Sequence, residues 1–400
     1  MSSTTSARPR ARLTRDRATW LIYLQLATFS TYLYGLSAAL PLLRIDQEVS
    51  QAVAGLHGTS MAVGGIISGV GMPRLVARVG RRGATWLGLL LMACGVVLVT
   101  LTTALPVTLL GFGLASGGGS ITLYLGMSVL SDHHRAAGPA AINEANAVGV
   151  TVGIGVSFLI SVLADTALGW RAGILITPVA ALLLFAVMGR VWVPAAPPAD
   201  DHQEQGAALA AGAPFGWRFH AACGVLFCLV AMEFLFNVWA ARLLADQTGM
   251  TAAAAATGLT AFTAGLAVGR FAAGRLALRL DPTRMLAGAL VVTLSGWSVF
   301  WFSGQPVISY AGLVLSGLGV AVQFPLSLAR VIAMSGGRAA EGSAAASIWA
   351  GVAVGIGPFT LGALADGFGT RTAFLMVPLL IVLAVAGIAL SSRPPATIPA

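Results

Sequence analysis

Charged residues are scarce in this chain, and lysine is absent. Asp, Glu, Lys and Arg make up 9% of the 400 residues, hydrophobic residues make up 57%, and the mean hydropathy is +0.86. So little polar surface cannot cover a water-soluble globule, which excludes a soluble catalytic domain. A membrane-spanning helix needs roughly 20 apolar residues, so the chain has room for about a dozen spans and little else.

Groups that carry enzymatic or nucleotide chemistry are also missing. Cys94, Cys223 and Cys228 lie within apolar segments, where they form neither a disulfide framework nor a metal-ligand cluster. Without lysine there is no glycine-rich phosphate loop ending in Gly-Lys-Ser, so ATP is not the direct fuel. We therefore expect no enzymatic activity, no metal and no cofactor.

Apolar runs bounded by charged or turn-forming residues indicate an all-α membrane protein with twelve transmembrane helices. The first run follows 17 mostly polar and basic residues and is too long for a cleavable signal peptide. The predicted spans are 19–43, 51–72, 84–104, 106–130, 140–163, 171–193, 217–244, 251–273, 284–303, 306–333, 340–364 and 371–391.

A segment rich in proline and acidic residues separates the sixth span from the seventh and is typical of a solvated linker. It divides the chain into two six-helix bundles. The predicted domains are a basic tail at 1–18, a first bundle at 19–193, a linker at 194–216, a second bundle at 217–391 and a tail at 392–400.

The two bundles are copies of one another. GVTVGIG at 149–155 matches GVAVGIG at 351–357, and LADTALGWR at 163–171 matches LADGFGTR at 364–371, both with an offset near 200 residues. A parallel six-plus-six duplication relates the halves by an axis along the membrane normal, with a binding cavity near the midplane. The sequence thus predicts a pseudo-symmetric molecule built for alternating access.

Arginines mark the orientation in the membrane. Of the 23 arginines, four lie in the loops of one side, which are Arg44, Arg171, Arg242 and Arg371; the other 19 belong to the opposite side, with both termini and the linker. Because basic loops stay in the cytoplasm, both termini are predicted to be cytoplasmic in a multi-pass inner-membrane protein. The net charge of +9 therefore indicates topology, and no nucleic-acid partner is expected.

The stretch PRLVARVGRR at 73–82 resembles the loop signature of the major facilitator superfamily, and the resemblance covers essentially the whole chain. A degenerate copy, GRLALRLDPTR, occupies 274–284, and in both copies the family's aspartate is replaced. The resemblance implies gating loops on the cytoplasmic side. Because the aspartate that would pair with their arginines is replaced, we expect these arginines to meet helix carboxyl ends instead. The matching residues are Leu75, Arg78, Gly80, Arg81, Arg82, Gly274, Leu276, Ala277 and Arg279.

Glycines four residues apart within the spans predict close helix packing, which also permits rocking between states. The fifth helix only partly resembles the family's antiporter motif, because Val156 stands where proline would. The eleventh helix has the fuller version. The glycines and proline concerned are Gly149, Gly153, Gly155, Gly351, Gly355, Gly357 and Pro358.

Glu233 lies about sixteen residues into an apolar segment, near the middle of the bilayer. An ionised carboxylate at that depth costs several kcal/mol, so it should be neutralised or paired, as a proton-coupling group requires. Asn237 follows one helical turn later. Glu144 and Asn146 in the fifth helix are further candidates, Glu144 having a structural role at the helix start as its alternative.

Other polar groups at membrane depth are candidates for hydrogen bonds to a solute, namely Gln25, Tyr32, Tyr34, Tyr124 and Gln323. For Arg270 we expect snorkelling to the headgroups, with pairing to an acid across the bundle as the alternative.

The sequence predicts a monomeric secondary transporter in the lipid bilayer, moving a small organic solute and driven by protons. Efflux of an amphipathic compound and symport of a sugar-like metabolite both remain open. A non-transporting sensor or an intramembrane enzyme is a remote alternative.

Overall fold

The computed structural model describes residues 13–49, 51–164, 166–193 and 214–392, and within these ranges the regular structure is helical throughout. Most of the predicted linker, the first twelve residues of the amino-terminal tail and residues 393–400 lie outside the described residues.

The first half contains six α-helices and one 3₁₀ turn, Arg135–Ala137, which joins α3 to α4. Asp16 caps the first helix, since its carboxylate accepts hydrogen bonds from the backbone N–H and the hydroxyl of Thr19. The helices are α1 (Arg17–Gln47), α2 (Gln51–Leu101), α3 (Leu105–His134), α4 (Gly138–Ala164), α5 (Gly169–Ile174) and α6 (Ile176–Met188).

The second half has eight helices, because its fourth and sixth spans are each broken once. Thr251 and Asp281 cap two of them by accepting backbone N–H bonds. The helices are α7 (Trp217–Thr248), α8 (Ala252–Leu276), α9 (Pro282–Phe302), α10 (Pro306–Val320), α11 (Gln323–Ala333), α12 (Ala339–Phe368), α13 (Thr370–Ala373) and α14 (Met376–Ser392).

These helices supply twelve spans. By length and composition, nine stretches of the described chain are apolar enough to cross a membrane. Two of them, Val53–Leu101 and Leu105–Ala164, are long enough for two spans each, and Ala252–Leu276 provides the twelfth.

The predicted loop between the second and third spans is shorter in the structure than in the sequence analysis. Helix continues through 73–79, and the chain turns at Gly80, whose φ of 69° and ψ of 169° are non-helical. Glycine has no Cβ to oppose a positive φ, so one residue suffices for the bend.

The two halves meet where α2 contacts α12 and where α4 contacts α8. They also meet where α11 contacts α3 and α4. We call the face that carries residue 13, Gly80 and the Arg135–Ala137 turn the terminal side, and the other face the opposite side. The helices that meet here also line a cavity between the two halves.

Candidate functional site

A cavity of about 410 Å³ lies between the two halves. Helices α1, α2, α3 and α4 line it from the first half, and α7, α8, α11 and α12 line it from the second. Its size falls within the ~300–1,000 Å³ of typical small-molecule sites. Both halves of the chain therefore form its walls.

The cavity is closed toward the terminal side. There a Cβ on Gly69 of α2 would come within 2.8 Å of the Ile348 side chain of α12, and Ser347 donates to the Gly65 carbonyl at 3.3 Å. Ser347 is only 2% exposed, whereas the lining residues Ser37 and Gly58 near the opposite side are exposed. The chamber is thus accessible from the opposite side.

Glu233 and Arg270 form an ion pair in the cavity wall. The Nη2 atom of Arg270 lies 3.6 Å from Oε1 of Glu233, and the two side chains are 9% and 17% exposed respectively. The Nε of Arg270 also donates to the carbonyl oxygen of Ala321 at 3.3 Å. Snorkelling, the interpretation we favoured for Arg270, is wrong, because a carboxylate at membrane depth holds the guanidinium inside the bundle.

Tyr34 of α1 brings the first half to this pair. Its hydroxyl lies within electrostatic reach of both Glu233 and Arg270, and all three line the cavity. The Tyr34 ring packs onto Gly153 of α4, where a Cβ would lie 2.3 Å from the ring. The polar centre of the cavity therefore joins both halves.

Glu144 lies outside the cavity lining. Its carboxylate pairs with Nε of Arg15 at 2.7 Å and accepts a hydrogen bond from the Tyr23 hydroxyl at 3.3 Å. A Cβ on Gly274 would lie 3.8 Å from the Glu144 Cβ, so this acid is at the seam between halves on the terminal side. This placement favours the structural alternative for Glu144.

The remaining polar candidates divide into two groups. Asn146, Tyr32 and Tyr124 line the cavity, although the Asn146 amide donates to the Ile142 carbonyl of its own helix at 2.8 Å. Three others do not line the cavity, which are Gln25, Asn237 and Gln323.

The two glutamines are buried in the bundles because their helix faces point away from the central axis. Gln25 is fully buried, and neither polar atom of its side chain has a partner among the described residues. Gln323 donates to the Thr293 hydroxyl of α9 at 2.8 Å.

The predicted packing glycines behave in two ways. A Cβ at Gly149 would meet the Ser30 hydroxyl at 2.6 Å, and one at Gly357 would meet Ala231 at 3.0 Å. Gly351 faces Ile66 across the halves. Helix packing is not found at Gly155 and Gly355, which are exposed and would meet no described atom within 4 Å.

Pro358 lies inside α12, and its carbonyl accepts a hydrogen bond from the Trp239 indole at 3.0 Å. This bond ties α12 to α7 within the second half.

Arginines of the signature stretch hold the terminal side of the first half together. Arg81 pairs with Asp132 at the end of α3, and Arg82 donates to the carbonyl of Gly189, which follows α6. Arg82 thus meets a helix carboxyl end, where a cation is favoured. The other predicted residues here are Leu75, partly buried against the core, and Arg78 and Arg279, both exposed.

Several lining residues were not predicted, notably Phe29, Phe324 and Ser347. In an apolar helix, no sequence signal distinguishes an aromatic residue that faces a cavity from one that faces lipid or a neighbouring helix. Only the packing of the helices reveals them.

Several solved structures of similar fold are membrane transporters. FucP, described as a transporter in the outward conformation, has a TM-score of 0.79 and 18% identity, covering 94% of this chain and 99% of that chain. The proton:xylose symporter XylE has a TM-score of 0.75 and 13% identity, and the match covers 92% of this chain and 94% of that chain. Human MFSD10, an organic anion transporter, has a TM-score of 0.75 and 14% identity, and the match covers 94% of this chain and 100% of that chain.

The sequence comparisons agree with the duplication. No curated protein sequence matches this chain. A family profile described as the Major Facilitator Superfamily matches twice, over residues 19–239 and 221–400, so that nearly the whole chain is covered. The twelve membrane spans, the repeated halves and this double match lead to one conclusion: the chain belongs to the Major Facilitator Superfamily.

Proposed function

We propose that this chain is a secondary active transporter that carries a small organic solute across the inner membrane by alternating access and is driven by protons. The observation that carries the proposal is a cavity between homologous halves, closed on one side and holding a buried acid–arginine pair. A carboxyl group that exchanges an arginine partner for a proton is a means of coupling the two fluxes. The transporting unit is one chain, and it needs no cofactor.

Orientation follows from the arginine asymmetry, with both termini in the cytoplasm. In the state described, the cavity then opens on the side of the membrane away from the cytoplasm, which is the side from which uptake begins. The E. coli protein FucP is named a fucose:proton symporter, and XylE is named a proton:xylose symporter. These names support proton coupling here, while the low identities leave the solute to be inferred from this cavity.

The lining favours an amphipathic solute over a sugar. Aromatic rings and aliphatic side chains make up most of the wall, and of the amide side chains predicted to bind a solute only Asn146 lines it. A sugar needs many hydrogen-bonding groups to replace its water, and the buried amides of Gln25 and Gln323 lie elsewhere.

The test is flux in proteoliposomes under an imposed pH gradient, with a panel of labelled amphipathic solutes. Wild-type protein is expected to accumulate a solute in proportion to the gradient, and the sign of the gradient that drives accumulation gives the direction. Glu233→Gln should reduce gradient-driven accumulation on the order of tenfold or more, because the side chain no longer exchanges a proton.

Glu144→Gln is the matched control, an acid of the terminal side outside the cavity lining, and it should retain gradient-driven accumulation. Flux that Glu233→Gln leaves unchanged would remove Glu233 from the coupling. No gradient-driven flux of any solute by the wild type would contradict the proposed function itself.

A further inference from the structure

The charge of the cavity depends on one proton. Among the described residues that line it, Glu233 and Arg270 are the two with a formal charge, and the other titratable groups are Tyr32, Tyr34 and Tyr124. With Glu233 ionised the chamber is neutral. With Glu233 protonated it carries one positive charge, because an arginine in a protein is not deprotonated.

Arg270 is only partly engaged by its partner. The 3.6 Å separation from Glu233 is longer than the ~2.7–2.9 Å of a charge-assisted hydrogen bond, so the two groups do not form the short parallel bonds of a tight arginine–carboxylate pair. The Nε of Arg270 is fixed on the Ala321 carbonyl, which aims the rest of the planar fork. Such a fork fits two oxygens of a second carboxylate or of a similar oxyanion.

The walls on either side of the pair suit an apolar body. Phe29 and Tyr34 of α1, Tyr124 of α3, Phe234 of α7 and Phe324 of α11 all line the cavity, and the rings of Tyr124 and Phe324 meet edge to face at 6.2 Å. Aromatic surface of this kind stabilises rings and alkyl chains by removing them from water. The chamber therefore offers one cation at one point of an apolar wall.

We infer that the solute is a monoanionic amphipathic organic acid, whose carboxylate binds Arg270 when a proton neutralises Glu233. The inference rests on the proposed function and names its substrate class. The proton is held on the Glu233 carboxyl while the acid occupies its place beside Arg270, and on release the two carboxylates exchange again. A cationic amphiphile would face Arg270 itself, and a neutral solute would leave the buried guanidinium uncompensated once Glu233 is protonated.

The test measures binding to purified protein with four probes that carry different head groups on one phenyl ring: benzoate, benzenesulfonate, benzyl alcohol and benzylamine. Benzenesulfonate stays ionised at every pH used, so any pH dependence of its binding comes from the protein. Glu233→Gln, which imitates the protonated acid, is expected to bind both anions on the order of tenfold or more tightly than wild type at neutral pH. In wild type, benzenesulfonate binding should strengthen as the pH falls, and in Glu233→Gln it should not change with pH.

Two variants control for charge alone. Glu233→Gln combined with Arg270→Gln removes the cation and should lose the gain in anion affinity. Asp246→Asn breaks the exposed Arg242–Asp246 pair further along α7, whose atoms lie 3.1 Å apart, and should bind the anions as wild type does.

Binding of benzylamine or benzyl alcohol as tight as that of benzenesulfonate would overturn the inference. So would anion binding that survives in the double variant, or an absence of anion binding by well-folded Glu233→Gln. Should Glu233→Gln fail to fold, the wild-type comparison of benzenesulfonate with benzylamine at acidic and neutral pH decides instead. Proton-driven flux of another solute, without anion binding, would contradict this inference and leave the proposed transport function standing.

Discussion

Tyr34 lies beside the Glu233–Arg270 pair because residue 153, against which its ring packs, is a glycine without a side chain. An added methyl group at 153 would lie 2.3 Å from the Tyr34 ring, so Gly153→Ala must push the ring away from the pair. We expect the affinity for the transported solute to fall on the order of tenfold, as overpacking costs ~1–3 kcal/mol. Binding measurements check this, and Gly155→Ala, which meets no described atom, should bind as wild type does. Equal affinities in both variants would contradict the role of Tyr34.

Asp16, which lies outside the membrane spans, leads to a prediction about how stability depends on pH. Burial on its own would raise the pKa of this carboxyl, but hydrogen bonds from the Thr19 side chain and backbone and from His133 outweigh it and lower the pKa. A carboxyl with a lowered folded-state pKa stabilises the fold above its unfolded-state pKa, and this contribution is lost as the pH falls through the folded-state value.

Asp16→Ala should therefore destabilise the protein by about 1 kcal/mol at neutral pH, the usual cost of losing a helix cap. Thermal unfolding in detergent at a series of pH values checks this, with wild type and variant converging in acid. A difference that stays constant down to acidic pH would show that the carboxylate charge does not contribute.

At the scale of elements, the contact of α2 with α12 keeps the terminal side closed. A Cβ on Gly69 would come within 2.8 Å of the Ile348 side chain and 3.1 Å of the Ala344 carbonyl, so Gly69→Ala forces the two helices apart. The variant should shift the population toward a state open on the terminal side, which a strain of ~1–3 kcal/mol would favour by about fivefold or more.

The measurement is thiol labelling of Ser347→Cys in a Cys94→Ser background. Labelling should be faster when Gly69→Ala is also present. Gly71→Ala, on the same helix with open space around its Cβ position, is the control and should leave the labelling rate unchanged. Slower labelling with Gly69→Ala would mean that the contact does not close this side.

For the whole molecule, alternating access requires the halves to separate on the terminal side. A Cβ at Gly351 would lie 3.1 Å from Cγ1 of Ile66, so cysteines at these two positions have Cβ atoms close to the ~3.5–4.5 Å of a disulfide. In a Cys94→Ser background the pair should oxidise spontaneously, abolish flux and regain it on reduction. Cysteines at Gly58 and Gly355, on the same helices toward the opposite side, should not cross-link in this state. Full flux in the oxidised Ile66–Gly351 pair would exclude rocking of the halves about this contact.

Local sequence properties determined the membrane architecture. Hydropathy is a sum over neighbouring residues, so the twelve spans could be predicted. Matching sequence motifs indicated the duplication and the family resemblance, and the family and fold were confirmed. The depth predicted for Glu233 rests on its distance to the ends of its apolar run. The bend at Gly80 was predicted as a longer loop, because the sequence does not show that a single positive φ completes the turn.

Tertiary structure alone decided which polar side chains meet. Glu233 and Arg270 belong to different helices, and hydropathy carries no information on the rotation of one helix against another. Gln25, Asn237 and Gln323 looked equally suited to a cavity, but within a membrane bundle a helix has several protein-facing sides and only one of them faces the central axis. The packing of glycine against neighbouring helices sets that rotation, since backbones approach closely only where the side chain is absent.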